Sequence, residues 1–317
     1  MLGLAKRLRS AGVLGINQRN GQYTLRYNPR SLYPLVDDKV RTKQLAQQAG
    51  IAVPELYGII EIERQIRDLP LLLENHGDFV VKPARGSGGD GIIVITGRRG
   101  ANYRKLSGLL LTEAELQHHV ANILSGMFSL GGQRDQALFE YRVRFDPVFR
   151  EIAYQGIPDI RIIVFLGVPV MAMLRLPTRM SNGKANLHQG AIGAGINIAT
   201  GKTLNAVWRN EVVSEHPDTA SPVNGVEVPG WDKLLAIASR CYELSGLGYQ
   251  GVDIVLDEHL GPLVLELNAR PGLNIQIANE TGLLPRLHRV EQNKEQLQTA
   301  QQRIDFAKRH FAETTMH

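Results

Sequence analysis

Three oxygen-bearing side chains stand close together in the stretch 249–274: Asp253 in the apolar run 252–256, Glu266 in the apolar run 263–267, and Asn268 just beyond it. Asp257-Glu258 and Gly261-Pro262 separate the runs with turn chemistry, which predicts two strands joined by a turn. Side chains alternate faces along a strand, so Glu266 and Asn268 share a face and Asp253 points away from Val252 and Ile254. In an antiparallel pair the three converge. Two carboxylates and an amide oxygen are the hard ligands Mg²⁺ prefers, with further positions left for water and phosphates. The alternative is a solvated hairpin whose acids face water, although an unpaired carboxylate inside an apolar run is costly.

A second pattern lies upstream. Residues 79–81 and 92–95 read as a strand pair, and Gly86, Ser87, Gly88, Gly89, Asp90 and Gly91 between them make a run too flexible for a plain turn. Glycines let backbone N–H groups approach phosphate oxygens, and Lys82 at the strand end adds a point charge. No Gly-Lys-Ser/Thr opening a helix follows, which excludes a Walker A loop. Lys39 stands in the first turn of a helix, where a cation is poorly placed for the dipole and hints at an anionic ligand. The strand pattern 136–143 carries Glu140-Tyr141, which can offer backbone groups and a carboxylate to a purine edge and ribose. Arg161 and Arg175 sit inside apolar strands and need anionic partners, either protein carboxylates or a bound substrate. Asn186 and His188 stand in a loop rich in Gly and Asn.

These residues require elements to hold them. Residues 2–11 read as helical, with Leu4 and Leu8 on one face, and 12–36 as irregular or a short hairpin around Asn20-Gly21. A helix follows, with Asp37 or Asp38 as N-cap, a body over 39–49, and Gly50 as its stop. Further helices are expected over 112–126, 231–245 and 286–312. Two strands hinged at Gly167 occupy 157–177, and 197–230 reads as an extended excursion. No internal repeat is present.

A chain of 317 residues, 43% hydrophobic and 21% charged, has the composition of a globular protein that buries a sizeable core. No apolar run reaches the roughly 18 residues of a membrane span. The single Cys241 excludes an internal disulfide and favours a reducing cytoplasm. Net charge is +5, yet residues 1–50 carry nine Lys/Arg against two Asp, leaving −2 elsewhere. That basic front end suits an anionic partner: an acidic protein, a lipid surface or nucleic acid. Aromatics interleave thinly there and no nucleic-acid signature accompanies them, so no specific nucleic-acid role is expected.

Taken together, Asp38-Lys39, Val-Val-Lys82 with its Gly-rich loop, Phe-Glu140-Tyr, Asp159-Ile-Arg161, Asn186-Leu-His188-Gln-Gly190, Gly251-Val-Asp253 and Leu-Glu266-Leu-Asn268 resemble the ATP-grasp ligases, among them the RimK-type α-L-glutamate ligases. Segments 141–158 and 197–230 are longer than in RimK-type enzymes and look more like the sugar-transfer-associated ATP-grasp proteins. The resemblance implies an α+β ATP-grasp fold in which two α+β subdomains clasp ATP, with the usual N-terminal Rossmann-like subdomain shortened or missing. It implies a basic extension over 1–36, a first subdomain over 37–135, a second over 136–285 and a helical tail over 286–317. Lys39, Lys82, residues 86–91, Glu140, Tyr141, Val143 and Asp146 would bind ATP. Asp253, Glu266 and Asn268 would hold Mg²⁺, with Mn²⁺ as an alternative. Arg161, Arg175 and Arg270 would act on the substrate carboxylate and an acyl phosphate, and Asn186 and His188 would bind substrate. The implied activity joins a carboxylate, on an amino acid such as glutamate, to the amine of an amino-acid or peptide substrate. A nucleotide-binding scaffold without turnover is the alternative, and a homo-oligomer stays open.

Overall fold

The computed structural model describes residues 6–8, 10–86 and 88–312; Ser87 and residues 2–5 and 9 of the expected first helix lie outside the described residues. The described chain forms two compact units, each built on an antiparallel sheet. Helices accompany both sheets, so the α+β expectation holds.

The smaller unit takes Asp38–Gln44 and Val53–Val143. Its strands are β1 (Leu56–Ile60), β2 (Phe79–Pro83), β3 (Ile93–Arg99), β4 (Asn102–Lys105), β5 (Leu110–Leu111) and β6 (Ala137–Glu140), in the order β1-β6-β2-β3-β4-β5. The helix Glu113–Leu124 starts at a capping box, Thr112 with Glu115, and buries Leu116, Val120 and Ile123 along one stripe against Phe79, Val81, Ile95 and Phe139. Strand β6 pairs with both β1 and β2, so the boundary expected at 135/136 moves to follow Val143. Its four residues are buried, and that apolar run closes the first sheet rather than opening the second.

The larger unit takes the described residues up to Asp37, Leu45–Ala52, and those from Arg144 onward. Its strands are β7 (Asp159–Phe165), β8 (Val168–Leu176), β9 (Ile192–Ile196), β10 (Thr203–Trp208), β11 (Glu211–Val213), β12 (Tyr249–Asp257) and β13 (Gly261–Asn268). They run β11-β10-β9-β8-β7-β12-β13. The helix Trp231–Ser245 buries Leu234, Leu235, Ala238 and Cys241 and stops at Gly246, whose left-handed φ of 68° suits a residue without Cβ.

Three expectations give way. Segment 12–36 is helical, with Asn20-Gly21 inside a π-helical stretch Arg19–Thr24 between α turns Ile16–Gln18 and Leu25–Tyr27. Tyr23 is the reason: it is 2% exposed, edge-on to Phe165 at 5.6 Å, and this packing overrides the local turn preference of Asn-Gly. The described part of the front end is therefore integral to the larger unit, where Asn28 Nδ2 donates to the Tyr249 and Ala269 carbonyls at 2.7 and 3.0 Å. The tail is two helices, Leu284–Asn293 and Ala300–Phe311, because Thr299 and Gln302 form a new capping box between them. The excursion 197–230 begins by joining the sheet as β10 and β11.

Candidate active site

Strand register alone assembles a charged cluster in the larger unit. Pairing of β7 with β8 sets Asp159 opposite Arg175, β7 with β12 sets Arg161 opposite Asp253, and β12 with β13 sets Asp253 opposite Glu266. Arg161 grips Asp253 as a fork, Nε to Oδ1 at 2.7 Å and Nη2 to Oδ2 at 2.5 Å. Arg175 donates through Nη2 to Asp159 at 2.7 Å and to Asp253 at 2.8 Å. Both arginines thus take protein carboxylates as partners, the first of the two options their burial required. Burial works to raise the Asp253 carboxyl, but Arg161 and Arg175 outweigh it and hold it well below the usual carboxylate range. Burial pushes the Asp159 carboxyl up from its ordinary value, with Arg175 opposing and Asp253 adding to the rise.

Asp253, Glu266 and Asn268 are brought together. Asn268 Nδ2 bridges the two carboxylates, 3.2 Å from Asp253 Oδ2 and 3.2 Å from Glu266 Oε1. Glu266 keeps 37% of its side chain exposed, against 1% for Asp253. Among the described residues no group of three or more His, Cys, Asp or Glu side chains is disposed to hold a metal, so a site here depends on the amide. The donor set fits Mg²⁺ in chemistry and charge. Among the described residues the ion pairs set three acids, Asp159, Asp253 and Glu266, against two bases, Arg161 and Arg175, a formal charge of −1, and the bridging amide marks the position of a group shared by two carboxylates. Turned over, the same amide presents its oxygen.

The smaller unit holds a second cluster. Lys82 on β2 and Lys43 on the helix Lys39–Gln48 meet Glu140 on β6, at 2.5 Å to Oε1 and 2.8 Å to Oε2. All three side chains are buried. Burial drives Lys43 down to about 8, against the pull of Glu140 and with the push of Lys82. The Glu140 carboxyl lies below its ordinary value, because Lys82 and Lys43 overcome the opposing effect of burial. Its carboxylate is turned to the lysines rather than outward to a ribose. Lys43 was missing from the expected set. The available signal was a buried-strand Glu140 in need of a cation, and Lys43 lies one helical turn after Lys39.

Lys39 Nζ donates to the Gly86 carbonyl at 2.6 Å, so the expected phosphate lysine and the glycine loop adjoin. Asp38 caps its helix by accepting from Val40 and Arg41 N–H at 3.0 and 3.3 Å. In the loop, Gly88, Gly89 and Gly91 take φ of 66°, 78° and 74°, and a Cβ on Gly91 would stand 2.6 Å from Phe128 Cγ. Only glycine fits Gly91 without displacing that ring. Asp90 lies in the turn of the same loop. Tyr141 N–H donates to the Glu55 carbonyl at 2.8 Å, and Val143 is buried. Asp146 belongs to the larger unit, where it caps the 3₁₀ turn Pro147–Ile152. Asn186 caps the turn Leu187–Gln189 by accepting from the His188 N–H at 3.0 Å, and His188 is exposed. Arg270 stands apart from the acid cluster's ion pairs, its guanidinium 5.1 Å from the Tyr33 ring centroid.

Among the described residues no helix is long and apolar enough to cross a membrane. A probable alpha-L-glutamate ligase of Ectopseudomonas mendocina (strain ymp) is 24% identical over 238 residues, covering 74% of this chain and 56% of the relative, so the chain spans about half the length of the curated relatives it matches. Among solved structures, the ATP-grasp ligase PsnB complexed with minimal precursor, Mg and ADP aligns at TM-score 0.45 and 17% identity, covering 85% of this chain and 62% of that one. The D-alanine–D-alanine ligase of Bacillus anthracis aligns at TM-score 0.45 and 14% identity, over 83% and 68%. The family model of the sugar-transfer associated ATP-grasp proteins matches residues 18–292, nearly the whole run from the first helical turns through both sheets, and the chain belongs to that family.

Proposed function

We propose that this protein is an ATP- and Mg²⁺-dependent carboxylate–amine ligase acting on an amino-acid or peptide substrate in the cytoplasm. The observation that carries the reading is the cluster of three acids and two bases on β7, β8, β12 and β13, with buried Asp253 engaged by both arginines and Glu266 the most exposed of the acids. Such a cluster attracts a divalent cation and also sets arginines beside it. Glu266, Asn268 and Asp253 would hold Mg²⁺, which would neutralise charge on the transferring phosphoryl group. In the smaller unit, Lys39, Lys82 and the backbone of 86–91 would take nucleotide phosphates.

In the reaction a substrate carboxylate oxygen attacks the γ-phosphorus of ATP, and ADP leaves with the bonding pair. An amine then attacks the acyl carbon, phosphate leaves, and the amine proton passes to solvent. Neither step needs a nucleophilic side chain from the protein. Arg161 and Arg175, held on Asp253 and Asp159, would favour charge on the acyl phosphate through their field rather than by taking it as a partner, and glutamate is the first carboxylate to try.

Phosphate release with Mg-ATP, screened over amino acids and short peptides, tests this. Turnover is expected with at least one acceptor and is expected to vanish in Glu266→Gln, which removes charge and keeps shape. Near-normal turnover in that variant sinks the metal assignment. The saturation of Asp253 by two guanidinium groups favours a second reading, a nucleotide-binding partner without ligation. Mg-ATP binding with no phosphate release under any acceptor would establish it.

A further inference from the structure

Within the larger unit lies a pocket of about 470 Å³ that the ion pairs of the acid cluster do not use. It is lined by Asn20, Thr24, Leu25, Arg30, Tyr33 and Arg270, two cations and no carboxylate. Among the described residues no acid pairs with Arg30 or Arg270. Arg270 packs over the Tyr33 ring, its guanidinium carbon 5.1 Å from the ring centroid.

One residue of the lining, Thr24, and one outside it, Arg19, carry unused hydrogen-bonding capacity. Thr24 is 3% exposed and its hydroxyl has no partner. Arg19, from the same helical stretch, is 7% exposed and gives Nη1 to the Pro271 carbonyl at 2.9 Å, while its Nε is also without a partner. Buried polar atoms in native proteins are nearly always satisfied, so the unpartnered hydroxyl of Thr24, a residue of the lining, is an exception that a bound polar ligand and a small turn of the side chain would remove. Arg270 follows Asn268 by two residues at the end of β13, which brings the pocket to the same end of the sheet as Glu266.

We infer that this pocket binds the carboxylate of the acceptor amino acid or peptide, with Arg30 and Arg270 on the carboxylate oxygens, an inference that rests on the ligase reading. Planar guanidinium forks match a planar carboxylate bidentately. The Thr24 hydroxyl and the Asn20 amide can accept from an ammonium group, and Leu25 and the Tyr33 ring supply an apolar wall for an aliphatic stem. A polyphosphate would find no use for that wall. The helical stretch 16–27 thereby acquires a role in substrate choice.

The test is calorimetric titration of the full chain with L-glutamate, L-aspartate, D-alanine, a glycyl-glutamate dipeptide and inorganic phosphate, beside a titration with Mg-ADP. At least one amino-acid or peptide probe is expected to bind the wild type. Arg30→Gln is expected to weaken it by about tenfold or more, the loss typical of a charge-assisted contact, while Mg-ADP affinity is unchanged. Thr24→Val, which keeps the shape, is expected to weaken the same probe, and thermal melts confirm that both variants fold. Binding of phosphate alone, binding of no probe, or unchanged affinity in Arg30→Gln overturns the assignment. Amino-acid binding that depends on Arg30 without any Mg-ADP binding upholds the pocket and removes the ligase reading.

Discussion

Replacing Glu140 by Gln removes the carboxylate that both Lys43 and Lys82 face and leaves two ammonium groups buried beside each other. At an effective dielectric of about 20, a unit pair at roughly 4 Å is worth about 4 kcal/mol. The two attractions to Glu140 are partly offset by the repulsion between the lysines, and removal of one partner from a buried pair costs about 3–5 kcal/mol. The wild type already carries strain, because lowering Lys43 from 10.5 to about 8 means its charged form costs about 3 kcal/mol at neutral pH. That destabilisation is complete below the folded value of about 8 and is relieved as pH rises from there toward 10.5, where the unfolded chain also loses the proton. In Glu140→Gln the pull that raised Lys43 is gone, so its folded value drops further and the penalty reaches lower pH. Urea unfolding monitored in the smaller unit should show a loss of about 3–5 kcal/mol at pH 7 that narrows as pH rises past 8 toward 10.5, as Lys43 loses its proton. Adding Lys43→Met to Glu140→Gln should recover part of it, since one buried cation then disappears. A Glu140→Gln variant within about 1 kcal/mol of wild type at pH 7 would refute the cluster's energetics.

Gly91→Ala should destabilise the smaller unit by about 1–3 kcal/mol, because Gly91 has a φ of 74° and the new Cβ would stand 2.6 Å from Phe128 Cγ; a melt unchanged from wild type removes the close approach. Arg161→Lys keeps the charge and loses the fork on Asp253, so thermal stability should drop together with any change in the carboxylate substrate constant. A substrate constant that moves while the melt does not would show that Arg161 faces the ligand rather than Asp253.

Much of the architecture was legible because its signals are local. Period-two apolar runs marked β7, β8, β12 and β13, and the helices Lys39–Gln48, Glu113–Leu124 and Trp231–Ser245 carried caps or amphipathic stripes at their expected places. The convergence of Asp253, Glu266 and Asn268 followed from alternation in two strands separated by a turn. Segment 12–36 was not legible. Asn-Gly is a strong local turn signal, and what defeated it was Tyr23 packing on Phe165 and Tyr249, residues more than a hundred positions away. The thin strands β9, β10 and β11 were hidden for a related reason: Gly193, Gly195 and Asn205 dilute the strand pattern, and pairing with β8 supplies what propensity lacks.

The partners of the buried charges were the least legible feature, since they depend on register. The apolar setting of Arg161 and Arg175 demanded anions, but two options remained until β7 was aligned with β8 and β12. That alignment places Arg175 between two aspartates and Arg161 on one of them. Asp253 therefore has its negative charge answered from within the protein, and an approaching cation meets Glu266, which is the more exposed acid and reaches Arg161 only at 4.0 Å. This is why Glu266→Gln, rather than a change at Asp253, separates metal binding from fold: Asp253→Asn would leave Arg161 and Arg175 short of a buried partner, costing about 3–5 kcal/mol, and would confound loss of turnover with loss of structure.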